Sequence, residues 1–112
     1  MKYHAHIYYP QEKISLAQEI FKRCPYAPLK FYDKKVGPHA RPMIEIQFDD
    51  LSKGEIVQWI EKECQGLSAL VHQDTGDDYR DHTEGFFWIG ETLPIDFKFF
   101  DLVKAKPHLS IH

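Results

Sequence analysis

The sequence predicts an α+β fold of the ferredoxin-like class, in which an antiparallel sheet carries two helices packed on one face. Two observations support this prediction. Runs of alternating apolar and polar residues, typical of half-buried strands, recur along the chain, and two stretches between them have apolar residues at helical spacing. The order of elements is approximately β-α-β-β-α-β-β-β. A chain of 112 residues can bury a core, so we expect one domain over residues 1–112.

The first half of the chain is predicted to hold one helix and three strands. Residues 2–9 alternate strictly and predict a strand, which Pro10 ends. Residues 29–33 predict a short strand, and residues 41–48 predict the clearest second strand. The helix between them has its apolar stripe at Leu16, Ala17, Ile20, Phe21 and Cys24.

A second helix is predicted to start near Ser52. Ser52 and Glu55 fit a capping box, and Leu51 with Ile56 fits a hydrophobic staple. Gly66 fits the glycine that commonly follows a helix. The apolar stripe of this helix consists of Ile56, Trp59, Ile60 and Cys64.

The last part of the chain predicts three strands and a polar loop. The strands cover residues 68–72, 86–90 and 95–103, and residues 73–84 form the loop. Cys24 and Cys64 close the two helical stripes, so we interpret them as small core residues.

Two histidines, His4 and His6, are one residue apart on the first predicted strand. Residues i and i+2 of a strand point to the same face, so both imidazoles should project side by side, away from Ile7 and the core. Two neutral imidazoles directed at one volume suit a metal ion. The alternative is that histidines occupy a solvated or subunit-pairing strand face. The full predicted polar face consists of His4, His6, Tyr8, Met43, Glu45 and Gln47.

Other candidate site residues follow turns or end strands. His39 comes directly after a Gly-Pro turn, His72 ends a strand, and His82 lies in the polar loop. Glu45 can supply the carboxylate of a two-histidine, one-carboxylate set, which suits non-haem Fe(II). Arg41 can hold a substrate carboxylate. For each of these residues the alternative is an ordinary turn, edge or surface position.

Composition excludes several function classes. The net charge is −3 and no basic block occurs, so we expect no nucleic-acid partner. No apolar stretch is long enough to span a bilayer, and we expect no membrane partner. Two cysteines outside a CxxC motif, with no apolar leader before the first strand, favour a reducing, cytoplasmic location.

The chain contains a set of motifs in a defined order, namely Tyr3–Tyr9, Gly37–His39, Met43–Phe48, Val71–His72 with Thr75–Asp77, Asp81–His82, Trp88–Glu91 and Leu93–Asp96. Taken together, these ordered motifs resemble the DOPA 4,5-dioxygenase family of small aromatic ring-opening dioxygenases. The resemblance implies a compact α+β homodimer that uses non-haem Fe(II) and O2 for extradiol cleavage of a catechol such as L-DOPA. A proline is common in that family where this chain has Gln73. The histidines that match the family pattern are His4, His6, His39, His72 and His82.

Within this framework we assign roles as hypotheses. The ligands are His6, His72 and either Glu45 or His39, with His4 or His82 as acid or base and Arg41 holding a substrate carboxylate. Zinc or another divalent metal can occupy the same donors. Two other functions stay open, namely a non-catalytic dimeric module that binds a metal or ligand, and a zinc-dependent hydrolase.

Overall fold

The structure, a computed structural model, describes residues 1–99 and shows an antiparallel five-stranded sheet with helices packed on it. This confirms the predicted fold class. The strands are β1 (Lys2–Tyr8), β2 (Leu29–Tyr32), β3 (Met43–Asp49), β4 (Ser68–Gln73) and β5 (Phe86–Ile89), in the spatial order β2-β3-β1-β4-β5. The helices are α1 (Ile14–Arg23), which follows a single 3-10 turn, α2 (Asp50–Glu63) and the short α3 (Asp78–Asp81).

Strand β1 lies in the centre of the sheet and sets the register of its neighbours. On one side His6 is opposite Glu45 of β3, and on the other side His4 is opposite His72 of β4. Directly opposed residues point to the same face of an antiparallel sheet. The pairing therefore gathers polar side chains from three strands on one face.

The apolar core lies on the other sheet face, beneath α1 and α2. Ile7, Ile44 and Ile46 are fully buried there and pack with Ile20 of α1 and Ile60 of α2. This confirms the predicted division of the two faces, which follows from the alternation of β1 and β3. A smaller apolar cluster on the opposite face contains Tyr8, Met43, Leu70 and Leu93.

Both cysteines close helical stripes, as predicted. Cys64 is buried in the core and Cys24 packs against it half-buried, and both are free thiols. Burial raises the pKa of the Cys64 thiol to about 12. A thiol with so high a pKa is a poor nucleophile, which agrees with a packing role.

The predicted start of the second helix was wrong. Helix α2 begins at Asp50, and its N-cap is Asp49, whose side chain accepts a hydrogen bond from Leu51 N at 3.0 Å. Leu51 is 93% exposed and cannot form the predicted staple with Ile56. Asp49, at the end of β3, caps the helix, which therefore begins two residues before Ser52. Gly66 does adopt a positive φ of 85° after the helix.

The predicted last strand, residues 95–103, was also wrong where the structure describes it. Ile95 forms one isolated bridge with His39, after which Asp96 turns the chain by accepting a hydrogen bond from Lys98 N at 3.1 Å. Residues 100–103 lie outside the described part. The predicted polar loop 73–84 contains the short helix α3, which Asp77 caps through Arg80 N. No helix within residues 1–99 is long and apolar enough to cross a bilayer.

Candidate metal centre and adjoining cavity

Five histidines lie together on the polar face of the sheet, and every one of them is buried. None exposes more than 4% of its surface. Their rings contact one another, with centroid distances of 4.2 Å for His72–His82 and 4.4 Å for His6–His39. Buried polar groups require partners, so a packed cluster of imidazoles calls for a specific explanation. The five residues are His4, His6, His39, His72 and His82.

Three of these residues form a set that can hold a metal ion. One ring nitrogen each from His6, His39 and His82 lies within 4.8 Å of the other two. Each comes from a different part of the fold. His6 is on central strand β1, His39 follows the turn at Gly37, and His82 caps the C-terminus of α3. The three positions are far apart in sequence, so the tertiary fold creates the set.

The hydrogen bonds of this set orient one nitrogen of each ring into the cluster. His39 Nδ1 lies 2.6 Å from the Tyr8 hydroxyl, and His82 Nδ1 donates to the carbonyl oxygen of Asp78 at 2.7 Å. The Nε2 atoms of both rings are buried. Metal-binding histidines characteristically donate their second ring N–H to such a fixed partner, which sets the tautomer. The donor set therefore fits a divalent cation that accepts imidazole nitrogen.

His72 adjoins the trio through His6. Its Nδ1 donates to the carbonyl oxygen of Gln73 at 2.7 Å, so a neutral His72 has its lone pair on Nε2. That lone pair faces His6 Nε2 at 2.8 Å, and His6 Nδ1 lies 3.1 Å from Met43 Sδ. A proton on His6 Nε2 would make this contact a hydrogen bond. A cation beside the Nε2 atoms of His6 and His72 would also compensate their two lone pairs. His72 therefore adjoins the trio through its contact with His6.

Burial keeps the central rings neutral. Burial is the main cause that lowers the pKa of His72 to about 2, and repulsion from the neighbouring His82 adds to it. Burial also lowers the pKa of His6 well below its usual value, with further contributions from His39 and His72. Neutral imidazole is the form that binds metals. His6 and His72 therefore present lone pairs rather than positive charges.

His4 is in the opposite electrostatic environment. Its Nδ1 donates to Glu45 Oε1 at 2.7 Å and its Nε2 donates to Asp74 Oδ2 at 3.0 Å. Burial alone would lower the pKa of His4, but the hydrogen bonds to these two carboxylates outweigh it and raise the pKa. Burial likewise raises the pKa of Glu45, but the hydrogen bond from His4 outweighs this effect and lowers it. His4 is therefore held as an imidazolium, and both its nitrogens are engaged.

The loop that carries His82 is tied down by a buried aspartate. Asp81 is 1% exposed and accepts hydrogen bonds from Thr75 N at 2.8 Å and from Thr75 Oγ1 at 2.6 Å. These two hydrogen bonds connect the segment after β4 to the end of α3. It fixes the residue directly before His82 and thereby the position of that ring.

An apolar cavity of about 540 Å³ opens beside His82. The register places Trp88 of β5 opposite Leu70 of β4, and both line the cavity on the same sheet face as the cluster. Cavities of this size hold small organic ligands. The lining residues are Leu70, His82, Phe86, Trp88, Thr92, Leu93, Pro94, Ile95 and Phe97.

The structure brings together some of the candidate residues from the sequence and separates others. His6, His39 and His82 meet, with His72 adjoining them, although His82 was assigned to acid–base work rather than to the metal. Glu45, a predicted ligand, instead pairs with His4, outside the trio. Arg41 is half-buried between His39 and β3, and it does not line the apolar cavity within the described residues.

Two contributors to the site were missed from the sequence. Tyr8 was placed on the correct face, but its contact with His39 depends on the path of a loop. Asp74 lies in the predicted polar loop and was assigned no role, whereas it completes the pair of carboxylates around His4. Its position one residue after β4, across from the start of β1, is the signal that could have identified it.

Two known proteins are similar to this chain over most of its length. A crystal structure from Nostoc punctiforme, provisionally named a dioxygenase, superposes with a TM-score of 0.83 at 27% identity and covers 91% of this chain and 92% of that one. An uncharacterized 21.2 kDa protein from Botryotinia fuckeliana is 32% identical over 117 residues. That match covers 90% of this chain and 64% of the relative's length.

The family comparison spans nearly all the described residues. The model of the Dopa 4,5-dioxygenase family matches residues 3–99, a range that contains all five clustered histidines. Together with the Nostoc structure, this match supports an oxygenase. The chain belongs to the Dopa 4,5-dioxygenase family.

Proposed function

We propose that this protein is a non-haem Fe(II)-dependent dioxygenase that opens catechol rings in the extradiol manner. The observation that supports this function best is the buried trio of His6, His39 and His82 beside an apolar cavity. The trio offers imidazole donors for a metal, and the cavity offers space for an aromatic ring. His82 belongs to both, so a ring in the cavity lies next to the metal position.

The metal ligands in this proposal are His6, His39 and His82, and His72 adjoins them through His6. Imidazole suits Fe(II), Zn and other late transition metals, and the iron assignment follows the family. When bound, Fe(II) supplies a Lewis acid and a redox centre that holds the diol and O2 together.

The surrounding residues position and protect these groups. Tyr8 and the Asp78 carbonyl hold two of the rings by their Nδ1 atoms, which keeps the Nε2 atoms directed inwards. His4 donates one ring N–H to Glu45 and the other to Asp74, and its ring stacks on His72 with a centroid distance of 5.4 Å. Both ring N–H groups of His4 donate to these carboxylates, so in this proposal His4 positions Glu45 and His72 rather than protonating the substrate directly.

The proposed reaction balances without an external reductant. The carbon–carbon bond beside the diol breaks, and both atoms of O2 enter the ring-opened product. The four electrons that reduce O2 come from the substrate. The predicted homodimer and the cytoplasmic location belong to the same proposal, and light scattering of the purified protein tests the dimer.

The test is anaerobic loading with Fe(II), followed by air and a panel of catechols. We expect oxygen uptake and a yellow product that depend on iron. His6→Ala and His82→Gln should each lose iron binding and turnover while thermal unfolding shows that the variant is folded. Because His6 is fully buried, the milder His82→Gln change protects the test against a folding defect.

The same experiment separates the competing functions. If the iron-loaded protein consumes no oxygen with any catechol, the dioxygenase proposal is refuted. Hydrolysis of an ester panel by the zinc-loaded protein would then favour the zinc-dependent hydrolase. Full iron content and activity in both histidine variants would refute the assigned ligands.

A further inference from the structure

We infer that the preferred substrates are catechols with an uncharged, apolar substituent, and that Trp88 and its neighbours in the cavity recognise this substituent. The inference rests on the proposed function and narrows its substrate class. We expect alkyl or aryl catechols to bind better than catechols with a carboxylate or amino-acid group, such as DOPA, the compound in the family's name.

The position of the cavity fixes which part of the substrate it receives. His82 is the lining residue that also belongs to the metal-binding trio. A diol held at the metal position therefore lies at the His82 end. The ring substituent extends away from it, along Trp88 and the segment that contains Leu93 and Ile95.

The chemistry of the lining determines which substituent fits. Apart from His82, the lining within the described residues carries no ionisable side chain, and Thr92 supplies the remaining polar group. Leu70 and Leu93 form a buried apolar part of the wall, while Phe86 and Phe97 are exposed at the cavity. A carboxylate or ammonium group in this cavity would lose its hydration without gaining an ionic partner. An alkyl or aryl group would gain contact with apolar and aromatic surfaces.

The neighbouring cavity offers the contrasting environment. A space of about 420 Å³ beside His39 is lined by Lys35 and Asp96 and shares Pro94 and Ile95 with the apolar cavity. A charged substituent would be better accommodated there. The apolar cavity is the larger of the two and has the aromatic wall, which is why we assign the substituent to it.

The test compares two catechols of similar size, 4-ethylcatechol and 3,4-dihydroxyphenylacetate. Calorimetric titration of the Fe(II)-loaded protein without oxygen measures binding alone. We expect 4-ethylcatechol to bind about tenfold or more tightly, since one apolar group in such a pocket is worth roughly 10–200-fold. Equal or tighter binding of the carboxylate would overturn the inference.

Two matched variants locate the substituent. Thr92 is exposed at the cavity, so Thr92→Arg adds a cation there without disturbing the core, and Thr92→Gln adds bulk without charge. We expect Thr92→Arg, but not Thr92→Gln, to bind the carboxylate about tenfold more tightly. Lys35→Gln should leave the preference unchanged. A shift with Lys35→Gln and none with Thr92→Arg would place the substituent in the other cavity and overturn the inference.

Subsequent exposure to air distinguishes this inference from the proposed function. If 4-ethylcatechol binds preferentially but no oxygen is consumed, the dioxygenase proposal fails and the assignment of ligand class stands. If oxygen is consumed but binding shows no preference for the apolar substituent, the dioxygenase stands and the inference fails.

Discussion

Replacing Tyr8 with phenylalanine tests whether the buried histidines form a metal centre. The change removes only the hydroxyl that lies 2.6 Å from His39 Nδ1, in a fully buried environment. When His39 binds a metal through Nε2, its proton must remain on Nδ1, where Tyr8 accepts it. In the metal-free protein the proton can move to Nε2. Removing the Tyr8 hydroxyl therefore destabilises the metal-loaded form more than the metal-free form.

The size of the effect follows from the cost of one buried, unsatisfied donor. That cost is about 1–3 kcal/mol. Since 1.4 kcal/mol corresponds to a factor of ten, the affinity for metal should fall by about 5- to 150-fold. This range overlaps the roughly 10–100-fold effect typical of residues that orient a metal ligand. The assay is anaerobic titration of Fe(II) in competition with a chromogenic chelator.

Tyr9→Phe is the matched control. Tyr9 is equally buried and its hydroxyl donates to the carbonyl oxygen of Tyr32 at 2.7 Å, but it belongs to the core on the other sheet face. Tyr9→Phe should lose about 1 kcal/mol of stability from one hydrogen bond, whereas metal-free Tyr8→Phe should lose less, because the proton of His39 can move to Nε2. Only Tyr8→Phe should weaken metal binding. Unchanged affinity in Tyr8→Phe, or an equal loss in Tyr9→Phe, would refute the role of Tyr8.

Three further predictions concern stability, each measured as the free energy of unfolding in urea. Asp81→Ala should cost about 1–3 kcal/mol because Thr75 N loses its acceptor, whereas Asp81→Asn can still accept that bond and should cost less. Gly90→Ala should cost about 1–2 kcal/mol, since φ is 81° and the new Cβ would lie 3.0 Å from Leu67 O. Gly54→Ala should instead stabilise by roughly 0.5–1 kcal/mol, because this exposed helical position has nothing within 4 Å of an added Cβ. Equal losses in both Asp81 variants, a neutral Gly90→Ala or a destabilising Gly54→Ala would each contradict the corresponding argument.

The alternation of β1 and β3 was sufficient to predict the two sheet faces. Strand periodicity is a local property, so it placed His4, His6 and Glu45 on one face and Ile7 on the other without knowledge of the sheet order. The helical stripes were likewise local and predicted most of the buried helix surface, but Leu16, a predicted stripe residue at the edge of α1, is 38% exposed. Boundaries were less certain, because a single capping side chain such as Asp49 can move a helix start.

The composition of the histidine trio could not be predicted in the same way. His39 and His82 lie in segments between strands, where neither the helical nor the strand periodicity of the sequence predicts the direction of a side chain. Their meeting with His6 depends on the path of two loops, which Asp81 and the bridge between His39 and Ile95 hold in place. Sequence reasoning could identify these histidines as candidates but could not select them as a set.

His4 and His6 show why the role of a residue depends on long-range pairing. They are two residues apart on one strand and face the same side, yet the pKa of His4 is raised and that of His6 is lowered. The difference comes from their partners. Glu45 lies directly opposite His6 in the register but extends diagonally to His4, where Asp74 joins it from the end of β4. One imidazolium between two carboxylates leaves one net negative charge beside a cluster of neutral rings. That charge would favour a divalent cation at the cluster, while the hydrogen bonds of both His4 nitrogens prevent His4 itself from acting as a ligand.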